Sequence, residues 1–415
     1  MRDIELYRHL LGLQPPWTIT EVKLELDKQQ VHIWVGHPEA TAFACPECGV
    51  LSPVYDHSNE RIWRHLDSCQ FTTHLHAQPP RVACPEHGVR QARLPWAEGR
   101  SRFTALFERF AIDVLQETDV LGATRILRIS WDEAWGIVGR AVERGLLARQ
   151  ARVCRLIGVD EKAAAKGHDY LTVVCDLETG TVQHVASDRK KESLDSYFQG
   201  LSSEQLEGIE AVAMDMWEPY VQSTRAHVPN ADEKIVFDRY HIMTHMVGAV
   251  DAVRKREHRE LSAAGKDTLK KSKYLWLYAR ENLPERHRER FEELKGLHLK
   301  TGRAWAIKET LRDLWNYRRP GWARRHWEHW YFWATHSRLE PVVKAARTIK
   351  RHLANVLTFF SHRITNAASE ALNSKIQTIK KMACGFRNRE HFKIAIYFHC
   401  GGLQLYPQVT HAKPG

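Results

Sequence analysis

The sequence predicts a multi-domain α/β fold, in which a mixed sheet covered by helices is interrupted by a helical insertion and preceded by two smaller domains. Three observations predict it. A duplicated Cys-Pro-Glu motif lies among strand-like segments near the N-terminus, helical periodicity follows, and beyond position 150 strands alternate with helices. A chain of 415 residues is long enough for several such cores. The predicted domains are 1–98, 99–150, 151–245 with 361–402 as the two parts of the sheet domain, 246–360 as the insertion, and a tail at 403–415.

The positive charge of the chain is concentrated in one segment. Residues 251–360 contain 26 Lys or Arg and 13 Asp or Glu, whereas the whole chain contains 61 and 50. A segment with this balance is typical of proteins that bind a polyanion, and nucleic acid is the first candidate. A solvated helical face would have the same composition, so charge alone does not decide.

The remaining composition excludes several classes of protein. No apolar run approaches the roughly 18 residues of a membrane span, and the N-terminus has no apolar core of a secretory signal. Eight cysteines are too few for a disulfide scaffold in a chain of this length. We therefore expect a cytoplasmic protein.

Two short motifs of the same form, "CPECG" at 45–49 and "CPEHG" at 84–88, lie on either side of strand-like sequence. In each, Pro and Gly force a tight turn that brings two ligands to one point, as a tetrahedral zinc site requires. Four protein ligands leave no open position, so the zinc ion is expected to be structural. The predicted ligands are Cys45, Cys48, Cys84 and His87, and the competing candidates, which lack the turn, are Cys69, His74 and His76.

Residues 103–148 have helical periodicity. Ser130 followed by Glu133 is a capping box that opens the last helix. Two short helices joined by a tight turn indicate a helix-turn-helix, although three packed helices also serve as plain scaffold. The predicted apolar stripe of the first helix consists of Phe103, Leu106, Phe107, Phe110, Ala111 and Val114.

After position 150 the predicted order is strand, strand, strand, helix, strand, helix, strand, helix. Asp160 is predicted to end the first strand and Asp215 the fourth. Acids at strand ends face the crevice where α/β sheets bind ligands. If those two strands are neighbours, the two carboxylates lie side by side and repel each other unless a cation lies between them.

The helix predicted at 362–381 carries a single acid, Glu370. It is the candidate third ligand of a site for two Mg²⁺ or Mn²⁺ ions, of the kind that holds both oxygens of a phosphodiester exchange. Alternatively, it is an ordinary surface charge. The apolar positions predicted to pack on the sheet are Ile364, Ala367, Ala371, Ile376 and Ile379, and the polar neighbours of Glu370 are Asn366, Asn373 and Ser374. The cations predicted to hold a DNA backbone are Arg363, Lys375, Lys380, Lys381, Arg387 and Arg389.

Other acids compete with these three. Glu161 should point away from Asp160 because side chains alternate along a strand, and Asp176, before a hairpin turn, is expected to be structural. Asp238 also ends a predicted strand and is the best rival metal ligand. His241 is a candidate residue for contacting one of the metal-binding carboxylates without binding the metal itself.

The insertion contains seven of the fourteen tryptophans. Interleaved with Arg, some of them could stack on exposed bases. Tryptophan at helical spacing is more often buried, so we expect most of the seven to be core residues and one or two to reach DNA. The seven are Trp276, Trp305, Trp315, Trp322, Trp327, Trp330 and Trp333.

The sequence resembles the ISL3 family of bacterial insertion-sequence transposases, which are of the DDE type with an RNase H-like catalytic domain. The resemblance runs through "LIGVDE", "VAMDMWEPY", "VFDRYHI", "LWLYAREN" and "RITNAASEALNSKIQTIKKMACGFRNREHF". It implies Asp160, Asp215 and Glu370 as the catalytic, magnesium-binding triad. It further implies that the protein binds the terminal inverted repeats of its element and target DNA, as a homodimer on DNA at the bacterial nucleoid. The alternatives are a non-enzymatic DNA-binding regulator with an inactive sheet domain, and a stand-alone nuclease.

Overall fold

The computed structural model describes residues 3–99, 101–164, 169–364 and 367–408. Contacts divide the chain into two compact units. One contains the chain up to Gln150 together with the residues from Tyr397 on, and the other contains Ala151–Ile396. Among the described helices, none combines the length and the apolar character that crossing a membrane requires. The domain boundaries predicted from the sequence stay predictions.

The first unit begins with a short helix and eight strands. These are α1 (Asp3–Leu10), β1 (Thr18–Glu25), β2 (Gln30–Gly36), β3 (Ala42–Ala44), β4 (Leu51–His57), β5 (Arg61–Ser68), β6 (Phe71–Ala77), β7 (Pro80–Cys84) and β8 (Gly88–Gln91). They form two four-stranded sheets with orders β1-β2-β6-β5 and β3-β4-β7-β8. Alternate residues of these strands enter one apolar core, in which Ile33, Trp63 and Leu75 are fully buried.

Three helices follow in the same unit: α2 (Ala105–Glu117), α3 (Val120–Leu127) and α4 (Trp131–Leu147). The capping box is present, since Ser130 and Glu133 each bond the other's backbone N–H. The predicted stripe is wrong at Phe110, which is 46% exposed. The buried face is rotated toward Glu108, because Arg140 and Arg144 of α4 approach its carboxylate to 2.6 and 3.2 Å and neutralise it.

The second unit is built on a mixed five-stranded sheet. Its elements up to residue 263 are β9 (Leu156–Ala163), β10 (Tyr170–Asp176), β11 (Thr181–Ser187), α5 (Lys191–Gln199), α6 (Ser203–Glu207), β12 (Ala211–Met214), α7 (Glu218–His227), α8 (Ala231–Lys234), β13 (Ile235–Phe237) and α9 (Arg239–Ala263). The strand order is β11-β10-β9-β12-β13, with β9, β10 and β11 antiparallel and β12 parallel to both β9 and β13. This confirms the predicted mixed sheet of an RNase H-like domain. Its first and fourth strands, β9 and β12, are neighbours, which is the condition under which Asp160 and Asp215 lie side by side.

The insertion is helical, as predicted. After α9 it contains α10 (Lys273–Leu277), α11 (Arg288–Gly296), α12 (Lys300–Arg312), α13 (Pro320–His336), α14 (Glu340–Arg351), α15 (Leu353–Leu357) and α16 (Phe359–His362). Five of its seven tryptophans are buried, and the two exposed ones are Trp322 at 55% and Trp333 at 38%. The expectation that most are core residues is confirmed.

Two further helices, α17 (Ala367–Met382) and α18 (Arg389–Cys400), complete the described elements. Beyond them, residues up to 408 contact the helices of the first unit. The Tyr406 hydroxyl donates to Asp113 at 2.6 Å, and Arg149 donates to the carbonyl of Gly401 at 2.9 Å. The rest of the predicted tail, 409–415, lies outside the described residues.

Candidate functional site

The two Cys-Pro-Glu turns meet at one end of the second sheet. Cys45 and Cys48 lie between β3 and β4, Cys84 is the last residue of β7, and His87 lies between β7 and β8. Because β4 pairs antiparallel with β7, the start of one strand is beside the end of the other. Gly49 and Gly88 have φ of +78° and +68°, which explains the glycine that closes each motif.

The four predicted zinc ligands form one cluster, whose ligand atoms all lie within 4.8 Å of one another. The Sγ atoms of Cys48 and Cys84 are 3.6 Å apart, and His87 Nδ1 lies 3.9 Å from Cys45 Sγ and 3.7 Å from Cys84 Sγ. A tetrahedron with zinc–sulfur bonds of about 2.3 Å has edges of roughly 3.7 Å. The cluster therefore fits a structural zinc ion.

Neighbouring groups favour metal binding by this cluster. His87 Nε2 lies 3.5 Å from Glu47, which Arg90 in turn contacts at 2.5 Å, so the imidazole is oriented with Nδ1 toward the cysteines. A hydrogen bond from the backbone N–H of Cys48 lowers the pKa of the Cys45 thiol to about 7, which favours the thiolate. The sequence offered a signal for Glu47, since Glu follows Pro in both motifs.

The competing zinc candidates lie elsewhere in the unit. His76 Nε2 is 2.8 Å from Nδ1 of His32, on which His74 stacks, and Cys69 is exposed. None of the three belongs to the metal-ligand cluster found among the described residues. None of the eight cysteines, all of which lie among the described residues, forms a disulfide bond.

The sheet of the second unit brings three acids to one level. Ala213 of β12 pairs with Gly158 of β9, so Asp215 and Asp160, each two residues on, follow at the same height. Met214 pairs with Phe237 of β13, which places Asp238 level with Asp215. The prediction that Asp160 ends its strand is wrong. β9 continues to Ala163 because β10 still pairs with it there, after β12 has ended.

Asp215, Asp238 and His241 form the second potential metal-ligand group among the described residues, again with ligand atoms within 4.8 Å. His241 Nε2 lies 2.7 Å from Asp215 and 4.0 Å from Asp238. Asp238 also caps α9, since it accepts from the backbone N–H of Tyr240 at 2.9 Å. The rival acid and its neighbouring histidine are thus adjacent to Asp215.

The charges in this group shift each other's protonation. Burial raises the pKa of the Asp215 carboxyl, and the negative charges of Asp160 and Asp238 raise it further, although His241 acts in the opposite direction. The pKa of His241 is also raised: burial alone would lower it, but the hydrogen bond and charge of Asp215 outweigh burial. These carboxylates form a negative site that a cation would stabilise.

Asp160 is held from three sides. The side-chain amide of Asn373 donates to its Oδ2, the backbone N–H of Glu161 donates to Oδ1 at 2.7 Å, and Lys162 Nζ lies 3.3 Å away. The Glu161 side chain instead pairs with Arg189 at 3.2 Å, pointing away from Asp160 as expected.

Asp176 has the structural role expected of it. It is fully buried, pairs with Arg152 and accepts from the backbone N–H of Glu178 at 2.9 Å in the hairpin turn. Its hydrogen bonds are used within the fold.

Helix α17 packs directly on β9. Ser369 Oγ lies 3.4 Å from Cys175 Sγ, and a Cβ at Gly158 would lie 2.6 Å from that hydroxyl, so glycine permits the close approach. The buried apolar residues of the helix are Leu372, Ile376 and Ile379. Ala371 is exposed, contrary to the prediction, because the buried face passes through Ser369 and Leu372 instead. Ile364 is half-buried, and Asn366 and the side chain of Ala367 lie outside the described residues.

Glu370 is exposed on α17, between the buried Ser369 and the half-buried Asn373. Residues three apart lie on the same side of a helix, so Glu370 shares the side of Asn373, which reaches Asp160. Its carboxylate is not in the metal-ligand group of Asp215. The structure thus brings Asp215 together with Asp238 and His241, and places Glu370 one helical turn from the residue that contacts Asp160.

The cations predicted to hold DNA differ in their surroundings. Lys381 and Arg387 are exposed, as is Lys375. Lys380 donates to the carbonyl of Ala163 at 2.7 Å. Arg389 pairs with Asp169 at 2.8 Å, and Arg363 donates to the carbonyl of Arg318 at 2.5 Å.

Three family models match the chain. A model described as "Transposase" matches residues 157–396, which is more than half of the sequence and includes the sheet, the insertion and α17. A model described as a zinc-finger of transposases IS204, IS1001, IS1096 and IS1165 matches residues 41–87, and the helix-turn-helix domain of transposase family ISL3 matches residues 92–142.

The curated relatives that the chain resembles are also named as transposases. The chain is 28% identical over 363 residues to the transposase for insertion sequence element IS1001 of Bordetella parapertussis, covering 86% of this chain and 89% of the relative. It is 27% identical over 418 residues to the transposase for insertion sequence element IS1557 of Mycobacterium tuberculosis, covering 94% and 93%.

Proposed function

Since the chain belongs to the ISL3 family of transposases and is therefore a DNA-binding, DNA-cutting enzyme, we propose that it recognises the terminal inverted repeats of its own insertion sequence and cuts and joins DNA strands there. The observation that carries this proposal is the placement of Asp160 and Asp215 at one level on adjacent parallel strands. Such a pair at the strand ends of an α/β sheet is suited to a cationic cofactor and a phosphate substrate.

We propose that Asp160, Asp215 and Glu370 hold two Mg²⁺ or Mn²⁺ ions. The residues fit such ions, because hard divalent cations prefer carboxylate oxygens and because burial, with a smaller contribution from the charges of Asp160 and Asp238, raises the pKa of Asp215, which a nearby cation would lower. When bound, the ions would supply Lewis-acid stabilisation of the attacking and leaving oxygens. Asp238 is the alternative third ligand, since it lies level with Asp215.

The chain's own residues position these carboxylates. Asn373 and the backbone N–H of Glu161 fix Asp160, and His241 fixes Asp215 at 2.7 Å. Because α17 is pressed against β9 at Gly158, Glu370 is carried on a helix that cannot shift relative to the sheet without breaking these contacts. Such support around a ligand set holds its members in a productive geometry.

The proposed reaction has two in-line displacements. Water attacks a phosphodiester at the element end, the P–O3′ bond breaks, and the freed 3′-hydroxyl attacks a phosphodiester of target DNA. Each displacement forms one P–O bond and breaks one, with the proton leaving the attacking oxygen. The carboxylates supply negative charge and orientation, and no covalent bond to the protein forms.

The remaining domains supply DNA contacts in this proposal. The zinc ribbon and the helix-turn-helix bind the terminal repeats, and Lys375, Lys381 and Arg387 contact phosphates beside the carboxylates. Two element ends must be brought together for joining, so we propose a homodimer on DNA. Because its substrate is the bacterial chromosome, the protein acts in the cytoplasm at the nucleoid.

The test uses the purified chain and a duplex that ends in the repeat flanking its gene. With Mg²⁺, we expect a nick at the repeat end and joining of the freed strand to a plasmid target, and with EDTA we expect binding alone. Repeat binding without cleavage in either condition would contradict the proposal and would indicate a DNA-binding regulator. Cleavage without joining would indicate a nuclease.

A further inference from the structure

The helical insertion has an open groove of about 940 Å³ between α13 and α14. Five of its lining residues are basic and one is acidic. The basic residues, all exposed, are Arg338, Lys344, Arg347, Lys350 and Arg351. The acidic residue, Glu340, has Arg256 at 3.7 Å, so part of its charge is already compensated. The groove therefore has a strong positive potential.

We propose that this groove, which the carboxylate site does not include, binds the sugar–phosphate backbone of duplex DNA. The proposal rests on the proposed function only in taking DNA as the partner. It adds to the transposase a DNA-holding surface within the insertion.

Most cations of the groove lack carboxylate partners in the part of the chain that the structure describes. Among the described residues, no carboxylate lies within 4.0 Å of Arg338, Lys344, Arg347 or Arg351. Several other exposed cations of the insertion have close carboxylate partners. These pairs include Lys255–Asp251, Lys270–Asp267, Arg288–Glu285, Lys295–Glu292 and Lys300–Glu260, at 2.7–3.0 Å. The groove thus gathers cations without a carboxylate partner within one short stretch of chain, residues 338–351.

Three of the cations form a row along α14. Lys344, Arg347 and Arg351 follow each other at helical spacings of three and four, so they lie on one face over about 10 Å of helix. Like charges at this spacing destabilise a helix in isolation. Each strand of B-DNA carries one negative charge per roughly 3.4 Å of the helix axis, so one backbone presents about three phosphates along a row of this length.

The row of cations is held rigidly because α14 is packed against the rest of the insertion. The opposite face of α14 is buried through Val342, Ala346 and Ile349. At the groove wall, Lys350 Nζ lies 4.6 Å above the ring of Tyr331, which stacks on the buried Trp327. Cations on a packed helix need little ordering when DNA binds.

The test compares two triple variants of the full chain on a 40-bp duplex that lacks the element's repeat, without divalent metal. The groove variant is Lys344→Gln, Arg347→Gln, Arg351→Gln. The matched control, Arg259→Gln, Lys266→Gln, Arg303→Gln, removes the same charge from three other exposed insertion residues that have no carboxylate within 4.0 Å among the described residues. The dissociation constant is measured over a salt series.

We expect the groove variant to bind at least about tenfold more weakly at low salt, and its slope of log affinity against log salt to fall by about 2 to 3, since each lost phosphate contact removes roughly 0.9. The control should stay within about twofold of wild type. Equal behaviour of the two variants would overturn the proposal. If the triple variant does not fold, Arg347→Gln alone should lower the slope by about 1. If the wild-type chain does not cleave DNA but the groove variant still shows the expected fall in slope, the result contradicts the proposed function and not the groove proposal.

Discussion

Asp215→Asn is expected to reduce strand cleavage at the repeat end by about 10³-fold or more while leaving repeat binding within about twofold. The carboxylate lies level with Asp160 and Asp238, and burial, with a smaller contribution from their negative charges, raises its pKa. Replacing it by a neutral amide removes a cation ligand from a site that depends on charge stabilisation. The measurement is single-turnover cleavage with Mg²⁺, alongside a binding titration.

The matched control for this prediction is Glu161→Gln. It makes the same change of charge beside Asp160, but its side chain points away and pairs with Arg189. Cleavage by the control should stay within a few-fold of wild type. If Asp215→Asn cleaves like the control, Asp215 is not a metal ligand.

Cys84→Ser is expected to abolish zinc binding and with it recognition of the repeat. Cys84 lies 3.6 Å from Cys48 and 3.7 Å from His87, so its loss opens the ligand cluster on both sides. Structural zinc contributes folding free energy on the order of 10 kcal/mol, because the site does not exist in the unfolded chain. Metal analysis should fall from about one zinc per chain toward none, and the N-terminal domain should become sensitive to protease.

Cys69→Ser provides the control for the zinc prediction. Cys69 is exposed and outside the ligand cluster, so its zinc content and repeat binding should equal those of wild type. A full complement of zinc in Cys84→Ser would contradict the assignment of Cys84.

Local patterns predicted much of this fold. Pro and Gly around paired ligands give the same turn wherever they occur, and this is why the zinc cluster was predicted residue by residue. The order of strands and helices along the chain followed from short hairpins and alternation with helices, whereas the order of the strands within the sheet did not. The expectation for the tryptophans also held, since an apolar ring at helical spacing is more often buried than exposed.

The errors came from interactions between distant segments. Phe110 is exposed because Glu108 is neutralised by two arginines about thirty residues away, and no local pattern indicates that pairing. Asp160 lies inside its strand because β10 continues to pair with β9 beyond the last residue of β9 that pairs with β12. The closeness of Asp238 to Asp215 depends on β13 lying beside β12 in register, which chain order alone leaves open.

The central claim is that Glu370, rather than Asp238, completes the metal site with Asp160 and Asp215. The direct test is cleavage and joining with Mg²⁺ by Glu370→Gln and by Asp238→Asn, each with repeat binding measured in parallel. We predict that Glu370→Gln binds the repeat but neither cuts nor joins, and that Asp238→Asn retains measurable activity, since an asparagine Oδ1 can still accept from the backbone N–H of Tyr240 and cap α9. Cleavage by Glu370→Gln at the wild-type rate, with loss of cleavage in Asp238→Asn, would contradict the claim and make Asp238 the third ligand.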